Sequence, residues 1–420
     1  MNDLAIRNGL VATPDGMTEV DIAIAEGTVV EMGARVGDAQ EVIDASGAWV
    51  GPGFVDLHTH LREPGEEWKE DILSGSLAAA HGGYTAVVAM PNTKPVVDNG
   101  PLARFVAARG SEVGLVDVVS AGALTIGLAG ETMAHIDEMW DAGVRIFSDD
   151  GFCVADASLL RTVMEYVAER GGVVSQHAID PSLGIAGHMH EGAVSSRLGM
   201  YGIPSEAEDI VIARDLALVA LTGVRYHVQH VATSGGIALI QKAKANGLSV
   251  TAEVTPHHLM FTENNVVDTD PDFKMMPPLR SDEDRTALIG GLRNGDIDAV
   301  ATDHAPHTAL EKEAPFEYAP NGVIGLEWAA AATHMSAGLG PMDLFDRMSV
   351  RPSKIAGLTD HGRLIEVGGL ANVVVFDPTV EWVPTSSVSR SRNAPYLGNP
   401  LTGTVLATIH NGAITASWSQ

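Results

Sequence analysis

The chain has 420 residues, 45% of them hydrophobic, which is ample for a large buried core. With 26 basic and 54 acidic residues it carries a net charge of −28, and no run of Lys or Arg offers the footprint that nucleic acid or an anionic membrane requires. The single cysteine, Cys153, excludes an intrachain disulfide and a Cys-based structural zinc site.

Met1-Asn2-Asp3-Leu4 has neither the positive n-region nor the apolar core of a signal peptide. No apolar stretch approaches the roughly 20 residues of a membrane span, so a cytoplasmic protein is expected. Segments 5–9 and 20–27 alternate apolar and polar residues and end at glycine, as short strands with tight turns do. Segments 371–378 and 403–412 repeat that pattern. Neither chain end could bury a core alone. Residues 1–50 and 366–420 are therefore expected to pair into a small composite β-domain, a β-sandwich, around a catalytic domain over 51–365.

The middle has another rhythm. Apolar runs at 54–60, 84–90, 116–123, 143–148, 172–177, 224–231, 248–254 and 298–303 alternate with helical patterns. Eight such units predict an α/β fold of the TIM-type (β/α)8 barrel kind. A doubly wound open sheet is the rival on pattern alone.

Strand side chains alternate between faces, so Asp56, His58, His60 and Arg62 share one face if the extended run continues. Two imidazoles spaced i, i+2 at a strand's C-terminal end can reach one ion. An isolated His-x-His is more often a pair of loop histidines. This one follows Gly51-Pro52-Gly53-Phe54-Val55, whose apolar character implies a buried strand. His177, His230 and Asp303 close other candidate strands. Singly, each reads equally well as a core histidine or a capping aspartate; jointly, they gather at the end of the barrel where such enzymes do their chemistry.

Nitrogen and carboxylate donors suit Zn²⁺ better than Mn²⁺, Co²⁺ or Fe²⁺. Two ions would need a bridging anion. No lysine lies between Lys94 and Lys242 to be carboxylated for that purpose, but Ser148-Asp149-Asp150-Gly151 offers two carboxylates. Arg62 supplies the cationic group that an anionic substrate would need on so acidic a chain, its planar fork matching a carboxylate. Asn92 and His307 are further candidate contacts.

Gly53-Phe54-Val55-Asp56-Leu57-His58-Thr59-His60-Leu61-Arg62-Glu63-Pro64-Gly65 closely resembles the signature of the dihydroorotases of the amidohydrolase superfamily. Met90-Pro91-Asn92-Thr93, Phe147-Ser148-Asp149-Asp150-Gly151, Glu253-Val254-Thr255-Pro256-His257-His258 and Ala301-Thr302-Asp303-His304-Ala305-Pro306-His307 match in the family's order. The resemblance spans nearly the whole chain and is strongest to the bacterial class with an aspartate bridge.

It implies reversible cyclisation of N-carbamoyl-L-aspartate to L-dihydroorotate in de novo pyrimidine biosynthesis, with one or two Zn²⁺ per subunit and a binuclear centre favoured. His58, His60 and Asp303 would hold the first ion, Asp150 would bridge, and His177 and His230 would hold the second. Arg62, Asn92 and His307 would bind the substrate carboxylate, the backbone at Pro320 and Gly322 would contact the ring, and Asp303 would carry the proton. A homo-oligomer is expected, and association with aspartate transcarbamoylase is known in the family.

Two positions depart from the pattern. Met276 stands in Lys274-Met275-Met276-Pro277-Pro278-Leu279-Arg280 where the family usually has asparagine, and a thioether cannot donate a hydrogen bond. Pro320-Asn321-Gly322 replaces a common Pro-Phe-Gly. Met276 is the strongest point for another cyclic amidohydrolase of the hydantoinase, dihydropyrimidinase or allantoinase type. A catalytically inactive partner protein is the reading from another class, and the full set of ligand-type residues opposes it. The long segments 179–204 and 309–322 are Gly/Pro-punctuated, and the second is expected to fold over the substrate.

Overall fold

The computed structural model describes residues 1–184 and 186–417; Ile185, inside the long 179–204 segment, lies outside the described residues, as do the last three. Eight short strands run along the middle of the chain: Phe54–Thr59, Tyr84–Ala89, Asp117–Ser120, Ile146–Phe147, Val173–Gln176, Arg225–Val228, Val250–Val254 and Ala299–Val300. Each falls inside a run expected from the sequence. Every neighbouring pair is parallel. The first three form one sheet and the last five another, in chain order. Isolated parallel bridges, Gly122 with Phe147 and Thr59 with His304, join the edges of these sheets.

Helices follow the strands, and their ends are specified locally. Asp71, Asn99, Asp156, Thr233 and Ser281 each cap a helix N-terminus by accepting from backbone N–H groups that lack partners within the helix. Gly114, Gly171 and Gly295 end helices in the left-handed conformation that favours glycine. The strands are buried on both faces, and Phe54–Thr59 is buried at every residue. Leu57, Val88, Ile146, Val173 and Ala299, from five different strands, pack into one apolar cluster.

Both chain ends build a single eight-stranded sheet. Hydrogen bonding runs through this sheet without a break. The reason is the long strand Asn2–Thr13. One side pairs with Gly16–Ala25; the other pairs with Ala39–Asp44 over its first half and Trp49–Pro52 over its second. Val373–Trp382 then joins Trp49–Pro52, so the C-terminal strands extend the same ladder. Leu4, Ile6, Ile22, Ile24, Val373 and Ile409 form its own core. Among the described residues, no helix is long and apolar enough to cross a membrane.

The 179–204 segment is more ordered than its composition suggests. It holds the helix Ala193–Leu198 and a parallel pair, Met189–His190 with Gly202–Ile203.

Candidate metal centre

The C-terminal ends of the parallel strands converge on a group of buried histidines and carboxylates. His58 Nε2 lies 3.2 Å from Asp150 Oδ1 and 3.5 Å from Asp303 Oδ1. His60 Nε2 lies 3.1 Å from Asp303 Oδ1 and 3.3 Å from Asp150 Oδ2. On the other side, His177 Nδ1 and His230 Nε2 are 3.0 Å apart. They stand 3.6 and 3.7 Å from Asp150 Oδ1. Asp150 thus has one oxygen facing three imidazoles and the other facing a fourth.

The far side of each ring sets which nitrogen holds the proton. His58 Nδ1 donates to Glu253 Oε1 at 2.9 Å, and His60 Nδ1 donates to Asn92 Oδ1 at 2.8 Å. Both Nε2 atoms are left as lone pairs aimed at carboxylate oxygens, a repulsive arrangement unless positive charge lies between them. His58 Nε2 and Asp150 Oδ1 are buried without a hydrogen-bond partner. Burial pushes the His58 imidazole down, yet Asp150 and Asp303 draw it well above its ordinary value. The donor set therefore fits a small divalent cation. Nitrogen and oxygen donors roughly 2.1 Å from a tetrahedral ion stand roughly 3.4 Å apart, close to the spacings seen.

Glu253 is held by two histidines, His227 Nε2 at 3.0 Å and His58. Burial raises its carboxyl, but those hydrogen bonds outweigh burial and bring it down to about 2. Burial would likewise raise Asp150 and Asp303, and the surrounding histidines hold both well below the carboxylate range. Asp149 turns away from the centre, accepting from Leu124 N at 2.8 Å and Thr125 N at 2.9 Å. One of the two adjacent aspartates shapes the turn, and its neighbour enters the cluster.

Three site residues adopt left-handed backbone angles uncommon outside glycine: Arg62 (φ 61°), His230 (φ 30°) and Asp303 (φ 46°). This corrects the alternation argument. The extended run stops at Thr59, and Asp56 reaches sideways to Thr302. The turned backbone at Arg62 still returns its side chain to the same cavity, where Nε donates to Pro306 O at 3.2 Å.

That cavity, about 430 Å³, lies directly over the cluster. Arg62, Asn92, His307 and Gly322 line it, and so do Met276, Ile179, Phe152 and Cys153. Pro320 does not: its carbonyl accepts from Lys312 Nζ at 3.1 Å, and Asn321 takes the place on the wall expected for it. Burial, then Arg62, Lys312 and Lys69, lowers His307 to about 2, so the ring is neutral. Its Nε2–H donates to Asn321 O at 2.8 Å.

Sequence reasoning missed several supports. Glu253 and His227 fix His58, and the signal available was Glu253 standing next to the end of the strand Val250–Val254. Asn92, read only as a substrate contact, also orients His60. His257 is buried beside the cluster with neither ring nitrogen partnered, and burial lowers it to about 4.

Cluster, cavity and parallel strands together define a metal-dependent hydrolase of the amidohydrolase type. Among solved structures, an L-hydantoinase (dihydropyrimidinase) from Arthrobacter aurescens superposes with TM-score 0.89 at 27% identity, covering 100% of this chain and 97% of that one. The Dihydro-orotase-like family matches residues 47–235. A dihydroorotase of Pelotomaculum thermopropionicum is 43% identical, covering 98% of each chain. One from Mycobacterium leprae is 44% identical, covering 95% of each. The chain belongs to the dihydroorotase family, and its function is that family's: a metal-dependent hydrolase acting on cyclic amide C–N bonds.

Proposed function

We propose that the chain interconverts L-dihydroorotate and N-carbamoyl-L-aspartate, the ring-closing step of pyrimidine biosynthesis, at a binuclear zinc centre. In this reading His58, His60 and Asp303 hold one ion, His177 and His230 the other, and Asp150 bridges them. Support for the bridge is the carboxylate's position, within 3.7 Å of all four imidazoles. We also take the two parallel sheets to close into one (β/α)8 barrel over 51–365, since bridges join both pairs of edges. Residues 1–50 and 366–420 form the separate β-domain.

The observation that carries the substrate reading is the placement of Arg62, a guanidinium on the cavity wall above the cluster. It grips the substrate carboxylate. Asn92, whose Oδ1 is occupied by His60, turns its amide N–H groups to the same carboxylate. A bound metal ion supplies Lewis acidity, polarising a carbonyl and making water a better acid. Asp303, kept ionised by its histidine neighbours, accepts the proton of the attacking water. As the ring C–N bond breaks, Asp303 passes that proton to the departing nitrogen. Ring closure runs the same path backwards. Ile179 and Met276 give the ring an apolar stretch of cavity wall.

Met276 on that wall and the hydantoinase-like architecture favour a second reading, hydrolysis of rings without a carboxylate. Turnover of dihydroorotate, dihydrouracil, hydantoin and allantoin separates the two. Dihydroorotate is expected to lead by about 10²-fold in kcat/KM, and Arg62→Met should erase that lead, as loss of a charged hydrogen bond does. Equal turnover of dihydrouracil by the unaltered protein would refute the proposed substrate.

A further inference from the structure

A second group of metal-type side chains lies at the opposite end of the parallel strands. Asp117 opens the strand Asp117–Ser120, His361 follows the helix Arg351–Ala356, and His410 ends the terminal-sheet strand Leu401–His410. One donor atom from each of the three residues lies within 4.8 Å of the other two. His361 Nε2 is 2.8 Å from Asp117 Oδ2, and His410 Nε2 is 3.4 Å from Asp117 Oδ1. Three parts of the molecule, distant in sequence, thus meet at one carboxylate.

The supports resemble those of a metal site. His361 Nδ1 is 3.0 Å from Thr85 Oγ1, which fixes the ring and aims Nε2 at Asp117. His410 Nε2 stands 3.2 Å from Asn411 Nδ2 and 3.4 Å from Asp117 Oδ1, and a cation at that nitrogen would take the place of the Asn411 contact. Both histidines are buried, while the Asp117 carboxylate is half exposed and borders a cavity of about 300 Å³. An ion can reach the group from that side, and water can complete its coordination.

We propose that Asp117, His361 and His410 form a divalent-cation site, separate from the catalytic centre, that ties the parallel strands to the terminal sheet. Two imidazole nitrogens and one carboxylate oxygen suit Zn²⁺ first, with Co²⁺ and Ni²⁺ as substitutes. Binding opens the 2.8 Å contact to roughly 3.4 Å, the spacing of adjacent donors on a tetrahedral ion. A small rotation of the exposed carboxylate achieves this. The alternative arrangement is a proton shared within the same three groups.

The test counts zinc. Holoenzyme equilibrated with micromolar free Zn²⁺ is compared with Asp117→Asn and with the double variant His361→Gln, His410→Gln by elemental analysis. The unaltered protein is expected to hold about one Zn²⁺ per chain more than either variant, while dihydroorotate turnover stays within two-fold. Equal zinc content would overturn the proposal in favour of the shared proton. If the double variant does not fold, Zn²⁺ titration of the holoenzyme followed by calorimetry decides with Asp117→Asn alone. An isotherm weakened at least ten-fold supports the site, and an unchanged isotherm overturns it.

Discussion

The floor and the rim of the active cavity are built by different means. The floor consists of strand ends: His58, His60, Asp150, His177, His230 and Asp303 are buried, and His58 and His60 are each turned by a second residue. The rim consists of loops. The 315–322 segment has no strand or helix of its own, and two buried lysines hold it through its carbonyls. Lys274 Nζ donates to Phe316 O at 2.6 Å, Glu317 O at 3.1 Å and Ala319 O at 2.7 Å. Lys312 Nζ donates to Pro320 O and, at 2.8 Å, to Pro271 O. The buried cluster stands on strand ends, and this part of the cavity wall on a loop tethered by ammonium groups.

If the floor carries the chemistry, Asp303→Asn gives the largest effect. The kcat for dihydroorotate should fall by roughly 10³-fold or more, with zinc content checked by elemental analysis. Substantial remaining turnover with metal in place would move the proton transfer elsewhere. Next comes the support of the floor. Glu253→Gln takes a carboxylate away from His58 Nδ1, and metal affinity should weaken by roughly 10–100-fold in a chelator competition. An unchanged affinity would mean that the ring holds its orientation without Glu253.

The rim should respond less, and in KM before kcat. Lys274→Met strands three carbonyls and is expected to raise KM about ten-fold and to expose 315–322 to proteolysis. The pH dependence of Lys312 has a definite sign. Burial, then Lys274, lowers its ammonium from 10.5 to about 8. Below pH 8 both folded and unfolded chains keep the proton, and the cost of burying the charge is constant. From about 8 to 10.5 the folded chain releases the proton first, so stability rises with pH. Relative to Lys312→Met, the unaltered chain should therefore gain resistance to urea between pH 8 and 10. The smallest effect belongs to Met276→Asn, expected to lower KM for dihydroorotate a few-fold by restoring a donor to the wall.

Most of the floor was legible in the sequence, because a ligand at the end of a buried strand leaves a periodic apolar run before it. Phe54–Thr59 and Val173–Gln176 show this plainly, each followed within a residue by a histidine. The eight strands were legible for the same reason. The supports were not. Glu253 and His58 are 195 residues apart, and nothing local to either announces the pair. The rim was read only in outline: the 309–322 segment was expected over the substrate, but its lysine tethers exist only through tertiary contacts to backbone carbonyls. Arg62 was found for an incomplete reason, since a turned backbone rather than strand alternation returns it to the cavity. The long strand Asn2–Thr13 was legible only over residues 5–9, and its pairing along both sides, which carries hydrogen bonding through the whole terminal sheet, exists only through tertiary contacts.

The most direct test of the account is a crystal structure of the zinc-loaded chain with dihydroorotate, with metals located by anomalous scattering at the zinc edge. The account predicts one zinc among His58, His60, Asp150 and Asp303 and another among His177, His230 and Asp150. It also predicts the substrate carboxylate on Arg62 and the ring against Met276. Zinc absent from the His58–His60 pair, or a carboxylate bound away from Arg62, would contradict it.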